Sequence, residues 1–600
     1  MAWLSGCGSL TSRPTNAMQR CHATPSCNVA WPERIHRTPF SKKKLVAPTE
    51  SRNNPLDRLP TSAFLVATGL ILGLAYPPNP VGLFGAVGLA PLLYALHRAT
   101  SWKQAFRWSY LSFLLFSALT TWWVGSWQSK TEPYLMISCV LLIIIHPLFF
   151  VTPMLLYRWV MKRSSVLQAL LFLPFLWTGG EYLHALSDAS YPWLTLGNTQ
   201  TYNHYFIQFI EFTGVWGLSF VLVVLNCAVA ALLFAAGGKF PEQQKKQIWR
   251  GAWIAIAAGV LLPYLHGLLR DESPTKGGGM SITIIQPNVD PWDKWKQADT
   301  VNQIALNAAM TRNAIAPLQQ KPDMALWVET AIPRTLTTPG AEGRMAEVME
   351  VVNSLDVSLM SGFPDYRRYP TAAEAPASAK LGIEYGAAGQ LDSFRYDHFN
   401  AVGLFVPGKG LTGAYHKMQL VPFGERIPFA DELPFLIKML TWDMGISAWG
   451  KGKSITVFDV PLRHGGVAKG GAVVCFESVY PNVVRKFVDS GANFLTVVTN
   501  DGWYLGTTGP LQHQRFALLR AIENRRPIAR AANTGISCFI SPNGELYNES
   551  DQNVATAITD QIELRSDLTL YTRWGDWWPQ LCLAIAAALG MAVGVRRKKG

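Results

Sequence analysis

The clearest chemistry in this chain lies in a cysteine, a glutamate and a lysine, each at the end of a short apolar run. Cys475 ends GGAVVC, Glu329 ends ALWVE and Lys417 follows GAYH. A thiol can attack a carbonyl carbon, a carboxylate can take and return protons, and an ammonium can stabilise an oxyanion. The three residue types are therefore the parts of a nucleophilic acyl-transfer site.

Each of these residues also has an ordinary explanation. Taken alone, Cys475 is more typical of a buried structural cysteine, Glu329 of a helix cap or surface residue, and Lys417 of an exposed lysine. Their joint occurrence favours the site, because a carboxylate at the end of a buried strand is costly unless it is functional or paired. A helix that begins near Tyr480 and Pro481, together with basic partners, predicts a lowered pKa for the thiol.

Three neighbours are candidates for supporting roles. Glu425 and Glu477 are each predicted to pair with Lys417 and hold it in place. His416 offers a competing Cys–His dyad, but it is adjacent to Lys417, so on a strand its side chain points to the opposite face. We therefore prefer the lysine as the partner of Cys475.

Composition and charge indicate a membrane protein with a soluble domain. The chain has 600 residues, of which 49% are hydrophobic and 16% charged. Of the net charge of +13, residues 1–60 supply +6 and the tail Arg596–Lys599 supplies +4. Charge at the chain ends is typical of membrane topology and disfavours nucleic acid as a partner. The eight cysteines form no CxxC pair, so we expect no metal.

Eight apolar segments are predicted to span the membrane, several of them close to the ~20 residues that a spanning helix needs. The segments are 62–77, 79–97, 107–127, 134–157, 165–184, 208–236, 251–269 and 576–595.

The loops that join these segments differ strongly in charge. One set holds ten Lys and Arg residues, whereas the opposite set holds only Lys130. The ten are Arg98, Lys103, Arg107, Arg158, Lys162, Arg163, Lys239, Lys245, Lys246 and Arg250. Positive loops stay in the cytoplasm, so both termini are predicted to be cytoplasmic and residues 271–575 to lie outside it.

The four predicted regions follow from this pattern. Residues 1–60 form a basic, disordered cytoplasmic tail, 61–270 a bundle of seven spans, and 271–570 a catalytic domain. Residues 571–600 form the last span and a basic tail. Within 271–570, short apolar strands alternate with amphipathic helices, which is typical of an α/β layered domain; the Ala- and Pro-rich segment 366–395 is predicted to be a surface insertion.

The segments around the three residues resemble a known family. Glu329, Lys417 and Cys475 resemble the Glu-Lys-Cys triad of the nitrilase superfamily. The forms WVETAIP, YHKMQLVPFGE and VCFES, with TNDGWYLGTTGPLQHQ, resemble bacterial apolipoprotein N-acyltransferases. The resemblance covers roughly 60–595 and implies a multi-pass transmembrane bundle plus a nitrilase-like α-β-β-α sandwich. The chain departs from it at 1–60, in the 366–395 insertion, and at Phe476, where some relatives have Tyr.

The resemblance implies a two-step acyl transfer in the bacterial inner membrane. Cys475 attacks the sn-1 ester of a phospholipid, with phosphatidylethanolamine the expected donor, and an acyl-thioester forms. The α-amine of a diacylglyceryl-cysteine at the N-terminus of an apolipoprotein then takes the acyl chain. Glu329 is the general base in both halves and Lys417 stabilises each oxyanion. The thioester stores the reactivity of the acyl group, so no cofactor is expected.

Lipid substrates would require apolar residues around the site. The segment 429–450 is predicted to be a mobile arm that dips into the outer leaflet, with an ordinary buried helix as the alternative. Candidate substrate-binding residues are Trp193 in the loop YPWLTLGNTQ, Trp295 in DPWDKWKQ, Trp442 in the arm, and Asn500 and Trp503 in the turn NDGW.

Two other functions are compatible with parts of this pattern. A membrane-tethered amidase of the nitrilase type would use the same triad to hydrolyse a small amide. A transporter would place charged residues inside the spans, but Glu181, near the outer end of the fifth span, fits a site at the membrane surface better.

Overall fold

A computed structural model describes residues 55–131, 133–270, 279–296, 303–385, 390–435 and 449–595, without the side chains of Tyr134, Asp293, Trp295 and Lys296. Trp442 and most of the predicted arm therefore lie outside the described residues, as do residues 1–54 and the side chain of Trp295.

The first half of the described chain is helical. Eleven α-helices precede the first strand in this part of the chain. They are α1 Pro55–Arg58, α2 Thr61–Leu74, α3 Ala90–Arg98, α4 Trp102–Thr121, α5 Pro133–Ile145, α6 Pro147–Arg163, α7 Val166–Ala185, α8 His204–Ile207, α9 Ile210–Thr213, α10 Val215–Ala236 and α11 Glu242–Leu269.

Five helical segments of the described chain are long and apolar enough to cross a membrane. They are Leu135–Arg163, which joins α5 to α6, together with Val166–Ala185, Val215–Ala236, Glu242–Leu269 and Trp577–Val595. Large apolar side chains remain exposed along these helices, for example Leu171, Ile254 and Leu262, as expected where lipid replaces water around a bundle.

The second predicted span is not one continuous helix. Within 79–97 the chain forms a 3₁₀ helix at Gly82–Ala86, and α3 begins only at Ala90. A Cβ atom at Gly82 would lie 2.2 Å from the carbonyl oxygen of Thr199, so the glycine permits close contact with the loop that follows α7. Hydropathy alone does not distinguish such a packed loop from the start of a helix.

The second half contains thirteen strands and the remaining described helices. The strands are β1 Gly279–Gln286, β2 Met324–Leu326, β3 Ser358–Arg368, β4 Lys380–Tyr385, β5 Leu391–Val406, β6 Gly410–His416, β7 Val457–Pro461, β8 Val467–Val474, β9 Phe494–Thr499, β10 Ile528–Ala532, β11 Cys538–Ile540, β12 Leu546–Tyr547 and β13 Thr556–Glu563. The helices are α12 Pro291–Lys296, α13 Gln303–Ile315, α14 Glu342–Leu355, α15 Pro481–Asp489, α16 Gly509–Asn524, α17 Leu570–Trp574 and α18 Trp577–Val595.

The strands form two mixed sheets. One has the order β13-β1-β2-β3-β5-β4 with β6 also paired to β5, and the other has the order β12-β11-β10-β9-β8-β7. Strands β1, β2 and β3 run parallel, as do β8, β9 and β10. The hydroxyl of Thr496 on β9 contacts the sulfur of Met360 on β3, so the sheets pack face to face.

Helices cover both outer faces of this pair of sheets. Helices α13 and α14 pack on the first sheet, and α15 packs on the second beside α16. The domain is therefore the α-β-β-α sandwich that the resemblance implied. The fully buried runs of β8 and β9 explain why these segments are apolar without alternation.

The segment 366–395, predicted to be a surface insertion, contains parts of three strands. Strand β3 continues to Arg368, β4 forms the edge of the sheet, and the first residues of β5 pair with both. We name this part the extension ribbon and define it as residues 366–368, 380–385 and 391–396. Its strand pairing is hidden in the sequence by the Ala- and Pro-rich stretch between β3 and β4.

Candidate active site

Glu329 follows β2 and lies in a tight turn against β3. Its side chain is buried, and its Oε1 atom accepts a hydrogen bond of 2.7 Å from Nδ2 of Asn400. Thr330 has a positive φ of 47°, and a Cβ atom at Gly362 of β3 would lie 2.3 Å from the nitrogen of Thr330. The turn that holds the carboxylate therefore depends on a glycine in the neighbouring strand.

Lys417 lies directly after β6 with its side chain fully buried. Its ammonium is 2.9 Å from Oε1 of Glu425 and 3.6 Å from Oε1 of Glu329. Burial lowers the pKa of Lys417, but the two carboxylates outweigh burial and hold the pKa above its ordinary value. The predicted pairing of Lys417 with Glu425 is present in the structure.

Asn400 is a residue that the sequence analysis missed. It lies on β5, is buried, and donates from Nδ2 to Glu329 as well as to Oε1 of Glu425 at 3.1 Å. Its backbone carbonyl oxygen also accepts from the backbone N–H of Lys417 at 2.9 Å. One asparagine thus touches all three charged residues, and the available signal was a polar residue inside the apolar run HFNAVGLFV.

His416 points away from this cluster. Its Nε2 atom lies 2.6 Å from Oδ2 of Asp365, and its ring stacks on Phe399 with centroids 4.2 Å apart. The alternation of side chains along β6 therefore places Lys417, and not His416, beside Glu329, as predicted.

Cys475 begins a 3₁₀ turn, Cys475–Val479, at the carboxyl end of β8. Its φ of 51° is in the left-handed region, which is strained for a residue with a Cβ atom, and its side chain is partly exposed. Burial is the largest effect on the thiol and raises its pKa, the charge of Glu329 raises it further, and Lys417 lowers it. The predicted lowering of the Cys475 pKa is therefore wrong, because burial and a neighbouring carboxylate outweigh the lysine.

Glu477 does not pair with Lys417, contrary to the prediction. Its Oε1 atom accepts from the hydroxyl of Tyr415 at 2.8 Å and from the N–H groups of Met418 and Gln419 at 2.6 and 3.0 Å. Its Oε2 atom accepts from the N–H of Val474 at 3.0 Å. This buried carboxylate therefore ties the loop after Lys417 to the strand that ends at Cys475.

A second polar cluster lies behind the nucleophile turn. Nε2 of His513 is 3.0 Å from the carbonyl oxygen of Cys475 and 2.8 Å from Oγ of Ser478. Nδ1 of His513 is 2.8 Å from Asp501, whose other oxygen is 2.6 Å from Arg530. Burial opposes ionisation of Asp501, but Arg530 and His513 outweigh burial and lower its pKa.

Lys294 was also missed by the sequence analysis. It is buried on α12 and donates to the hydroxyl of Thr330 at 2.7 Å and to the carbonyl oxygen of Glu329 at 3.2 Å. Burial lowers the pKa of Lys294 to about 7, although the charge of Glu329 acts in the opposite direction. The run DPWDKWKQ has no net charge, and nothing in it indicates that its first lysine is buried beside a carboxylate.

The predicted substrate-binding residues have different surroundings. Trp193 is only 3% exposed, donates to Oε1 of Gln512 at 2.7 Å and stacks on Phe476 with centroids 6.3 Å apart. Asn500 is buried and accepts a hydrogen bond from Asn533 at 2.9 Å. Trp503 is half-buried, edge-to-face with Trp292. Trp193 and Asn500 therefore pack around the nucleophile turn, and their contact with substrate stays a prediction.

The contact of Trp193 with Phe476 joins the helical bundle to the residue that follows Cys475. Tyr191 stacks on the same ring at 5.9 Å. Tyr191 also lines a small cavity at the end of the bundle, whose walls combine aromatic rings with the polar side chains of Glu181, His146 and His184. The nucleophile turn thus packs, through Phe476, against aromatic residues at the end of the bundle.

Comparisons with known proteins match both halves. The family model for the apolipoprotein N-acyltransferase N-terminal domain matches residues 68–228, and the model for carbon-nitrogen hydrolases matches residues 281–566. A helical membrane bundle that carries a carbon-nitrogen hydrolase sandwich with a Cys, Glu and Lys cluster defines the class of this protein: a membrane-bound enzyme of the nitrilase superfamily.

Full-length relatives narrow the class. The chain is 33% identical to the apolipoprotein N-acyltransferase of Chlorobaculum tepidum, over 90% of this chain and 98% of that protein. It is 28% identical to the apolipoprotein N-acyltransferase of Geobacter metallireducens, over 90% and 97%. The chain belongs to the apolipoprotein N-acyltransferase family and is an acyltransferase enzyme.

Proposed function

We propose that the chain transfers the sn-1 acyl chain of a phospholipid, through a thioester on Cys475, to the α-amine of the N-terminal diacylglyceryl-cysteine of apolipoproteins. Phosphatidylethanolamine is the proposed donor. The observation that carries the proposal is the buried cluster of Glu329, Lys417, Asn400 and Glu425 beside the nucleophile turn, which packs through Phe476 on aromatic residues of the membrane bundle.

In the first step, the Cys475 thiol gives its proton to Glu329 as the sulfur forms a bond to the ester carbon. The raised pKa of the thiol supports this role for Glu329, because a thiol that is protonated at rest needs a base at the moment of attack. The carbonyl oxygen of the ester becomes an oxyanion beside the Lys417 ammonium. Collapse breaks the C–O bond, and the leaving lysophospholipid oxygen takes the proton back from Glu329.

In the second step, the amine of the acceptor attacks the thioester carbon and Glu329 takes one amine proton. The oxyanion again forms beside Lys417. Collapse breaks the C–S bond, leaves an amide on the acceptor, and returns the proton from Glu329 to the sulfur. Glu425 and Asn400 keep Lys417 and Glu329 in place through both steps, and Glu477 keeps the loop of Lys417 and the turn of Cys475 in register.

The proposed location is the bacterial inner membrane, with the catalytic domain on the periplasmic side and both termini in the cytoplasm. Contacts such as Trp193 with Gln512, and Lys130 with Asp290 at 2.8 Å, join the domain to the bundle end where α4 and α7 terminate. The basic residues of the loops after α3, α6 and α10 lie at the other end of the bundle, as expected for a cytoplasmic side.

The rival amidase function is less well supported. It requires a small polar substrate and water as the second nucleophile, whereas this nucleophile turn packs on a membrane bundle and the chain belongs to an acyltransferase family. A thioester discharged by an amine, and not by water, distinguishes the two functions.

The test is the intact mass of the purified chain after incubation with phosphatidylethanolamine alone. We expect one added acyl group that disappears when a diacylated lipopeptide is supplied, with an equal gain in the lipopeptide. Cys475→Ala should insert in the membrane and acquire no acyl group, and Cys538→Ala, which changes a buried cysteine of β11, is the matched control that should still be acylated. Acylation of the Cys475→Ala chain would contradict the proposed nucleophile.

A further inference from the structure

The extension ribbon carries an apolar face that no residue of the described chain covers. Leu381, Ile383 and Tyr385 of β4 are 59%, 66% and 80% exposed, and Leu391 of β5 is 66% exposed. Side chains alternate along β4, so these three share one face, and the strand register places Leu391 opposite Tyr385 on that same face.

The opposite face of the ribbon is organised differently. Arg368 pairs with Glu384 and its guanidinium lies 4.1 Å from the ring centroid of Phe394, which in turn packs beside Tyr396. The charged groups of β4 therefore point to one side and its apolar groups to the other. Edge strands that face water carry charges to prevent association, so the uncharged row of β4 predicts an apolar environment.

The direction of the ribbon indicates what that environment is. Strand β3 is parallel to β2 and pairs with it only as far as Met360. Gly362 still packs against the turn of Glu329, and from Phe363 to Arg368 the strand continues past that turn by about 20 Å at ~3.3 Å per residue. The same edge of the paired sheets meets the bundle through Phe476 and Trp193, so the ribbon extends on the membrane side of the domain.

The base of the ribbon is connected to the bundle end by a chain of polar contacts. Oγ of Ser378, which precedes β4, lies 2.6 Å from Asp431 and 2.7 Å from Arg426. The N–H of Phe429 and the ammonium of Lys451 both contact Asp188, in the loop that follows α7, at 3.2 and 2.6 Å. The ribbon therefore starts at the level where the membrane helices end.

We propose that the apolar face of the extension ribbon lies in the headgroup region of the membrane, as a second lipid contact of the catalytic domain besides the bundle. This proposal rests on the proposed function only for the orientation of the chain, which makes the contacted leaflet the outer one. Tyr385 suits the interface, where aromatic rings meet headgroups, and Arg395, on the same face as Leu381, suits their phosphates. The unpaired backbone groups of the edge strand keep the ribbon out of the hydrocarbon core.

The test measures what surrounds a nitroxide on this face. The label is attached to Ile383→Cys in the full chain, in lipid nanodiscs, with Cys475→Ala and the three cysteines before residue 55 replaced by serine. The matched control is Val467→Cys, which is 51% exposed at the start of β8, the end of the strand far from Cys475. Because the chain lacks Cys475, the result is independent of acyl transfer and separates this proposal from the proposed function.

We expect the label at Ile383 to collide more with oxygen than with a water-soluble nickel chelate, and the label at Val467 to show the reverse ratio. A ratio at Ile383 equal to that at Val467 would place the face in water and overturn the proposal. Low access to both reagents would indicate a protein partner, such as a second copy or the acceptor polypeptide, and would overturn it as well.

Discussion

At the scale of single residues, the thiol of Cys475 is held in its protonated form. Burial and the charge of Glu329 raise its pKa, and the ammonium of Lys417 only partly compensates. A resting thiolate would be the stronger nucleophile but would also face the buried carboxylate of Glu329. The arrangement favours a proton transfer that is coupled to substrate attack, with the base already hydrogen-bonded by Asn400.

The pH dependence of thiol alkylation follows from these shifts. A free cysteine has a pKa near 8.5, so its alkylation levels off above about pH 9. Cys475 is expected to react about tenfold faster per pH unit through this range without levelling off, because its pKa is raised. Lys417→Met removes the ammonium that lowers the pKa of Cys475 and should slow alkylation throughout this pH range.

The control for this experiment is Lys469→Met, which alters an exposed lysine of the same strand that ends at Cys475. It should leave the profile unchanged. The measurement is the rate of iodoacetamide labelling at Cys475, followed by peptide mass. A wild-type profile that is flat from pH 7 would contradict the raised pKa.

Glu477 is a positioning residue whose replacement tests the link between the lysine loop and the nucleophile turn. Glu477→Gln keeps the shape but turns an amide nitrogen towards donor N–H groups, which costs about 1–3 kcal/mol. We expect acyl-enzyme formation from phospholipid to slow by about tenfold or more with little change in the phospholipid concentration at half-maximal rate. Glu545→Gln, on an exposed turn, is the control, and equal rates for both variants would contradict the role.

The sequence predicted the members of the cluster but not the way they are held. Glu329, Lys417 and Cys475 were recognisable because each follows a short apolar run and because their segments resemble the motifs of a known family. Glu477 was assigned to the wrong partner because its actual partners are backbone N–H groups, which have no residue-type signal. His513 and Asn400 were missed for a similar reason: a polar residue in a buried helix or strand becomes meaningful only when its spatial neighbours are known.

At the scale of elements, the position of Glu329 depends on the contact between its turn and β3. A Cβ atom at Gly362 would lie 2.3 Å from the nitrogen of Thr330 and 2.8 Å from Cα of Glu329, both backbone atoms. The backbone cannot rotate away as a flexible side chain would. Gly362 therefore sets the distance between strand and turn.

Gly362→Ala is expected to displace the Glu329 turn while leaving the pairing of Lys417 with Glu425 intact. Acyl-enzyme formation should fall by about 10²-fold, since a displacement of about 1 Å in a catalytic group has effects of this size. Gly413→Ala on β6 is the control, because a Cβ atom there meets nothing closer than 3.6 Å. Rates are measured from the acylated fraction by intact mass, and an unchanged Gly362→Ala rate would contradict the argument.

Element boundaries were predictable where apolar runs are short and flanked by turns, as in β1, β8 and β9. They were less predictable in the membrane half. The segment 79–97 has the hydropathy of a span, yet its first part forms a 3₁₀ turn, because glycine at 82 permits contact with the backbone of Thr199. Hydropathy reports the environment of a segment and carries no information on close backbone packing. The extension ribbon escaped prediction because its pairing partners are separated by an Ala- and Pro-rich stretch.

At the scale of the whole molecule, helix α16 connects the catalytic domain to the bundle. Gln512 accepts from Trp193 and Trp123, and Glu523 accepts from the N–H of Val215 at 2.8 Å. Arg525 follows the helix with a positive φ of 48° and is fully buried. Such buried polar contacts require both halves of the chain to fold in a fixed relative arrangement.

Arg525 makes several of these connections through its buried guanidinium. Its Nε atom lies 2.9 Å from Oε2 of Glu211, and its guanidinium also donates to the side chain and backbone of Gln208. Arg525→Met again places a residue with a Cβ atom at the positive φ, so the backbone strain is unchanged. It removes a buried partner of Glu211, which costs about 3–5 kcal/mol. Since His266 and Arg270 also contact Glu211, we expect the lower part of this range. The midpoint of thermal unfolding in detergent should fall clearly, and Glu211→Gln added to Arg525→Met should restore part of it by removing a carboxylate that has lost one of its three basic partners. Arg573→Met, an exposed arginine close to the last span, should leave the midpoint unchanged, and a fall of equal size in that control would show that the loss is not specific to the buried pair.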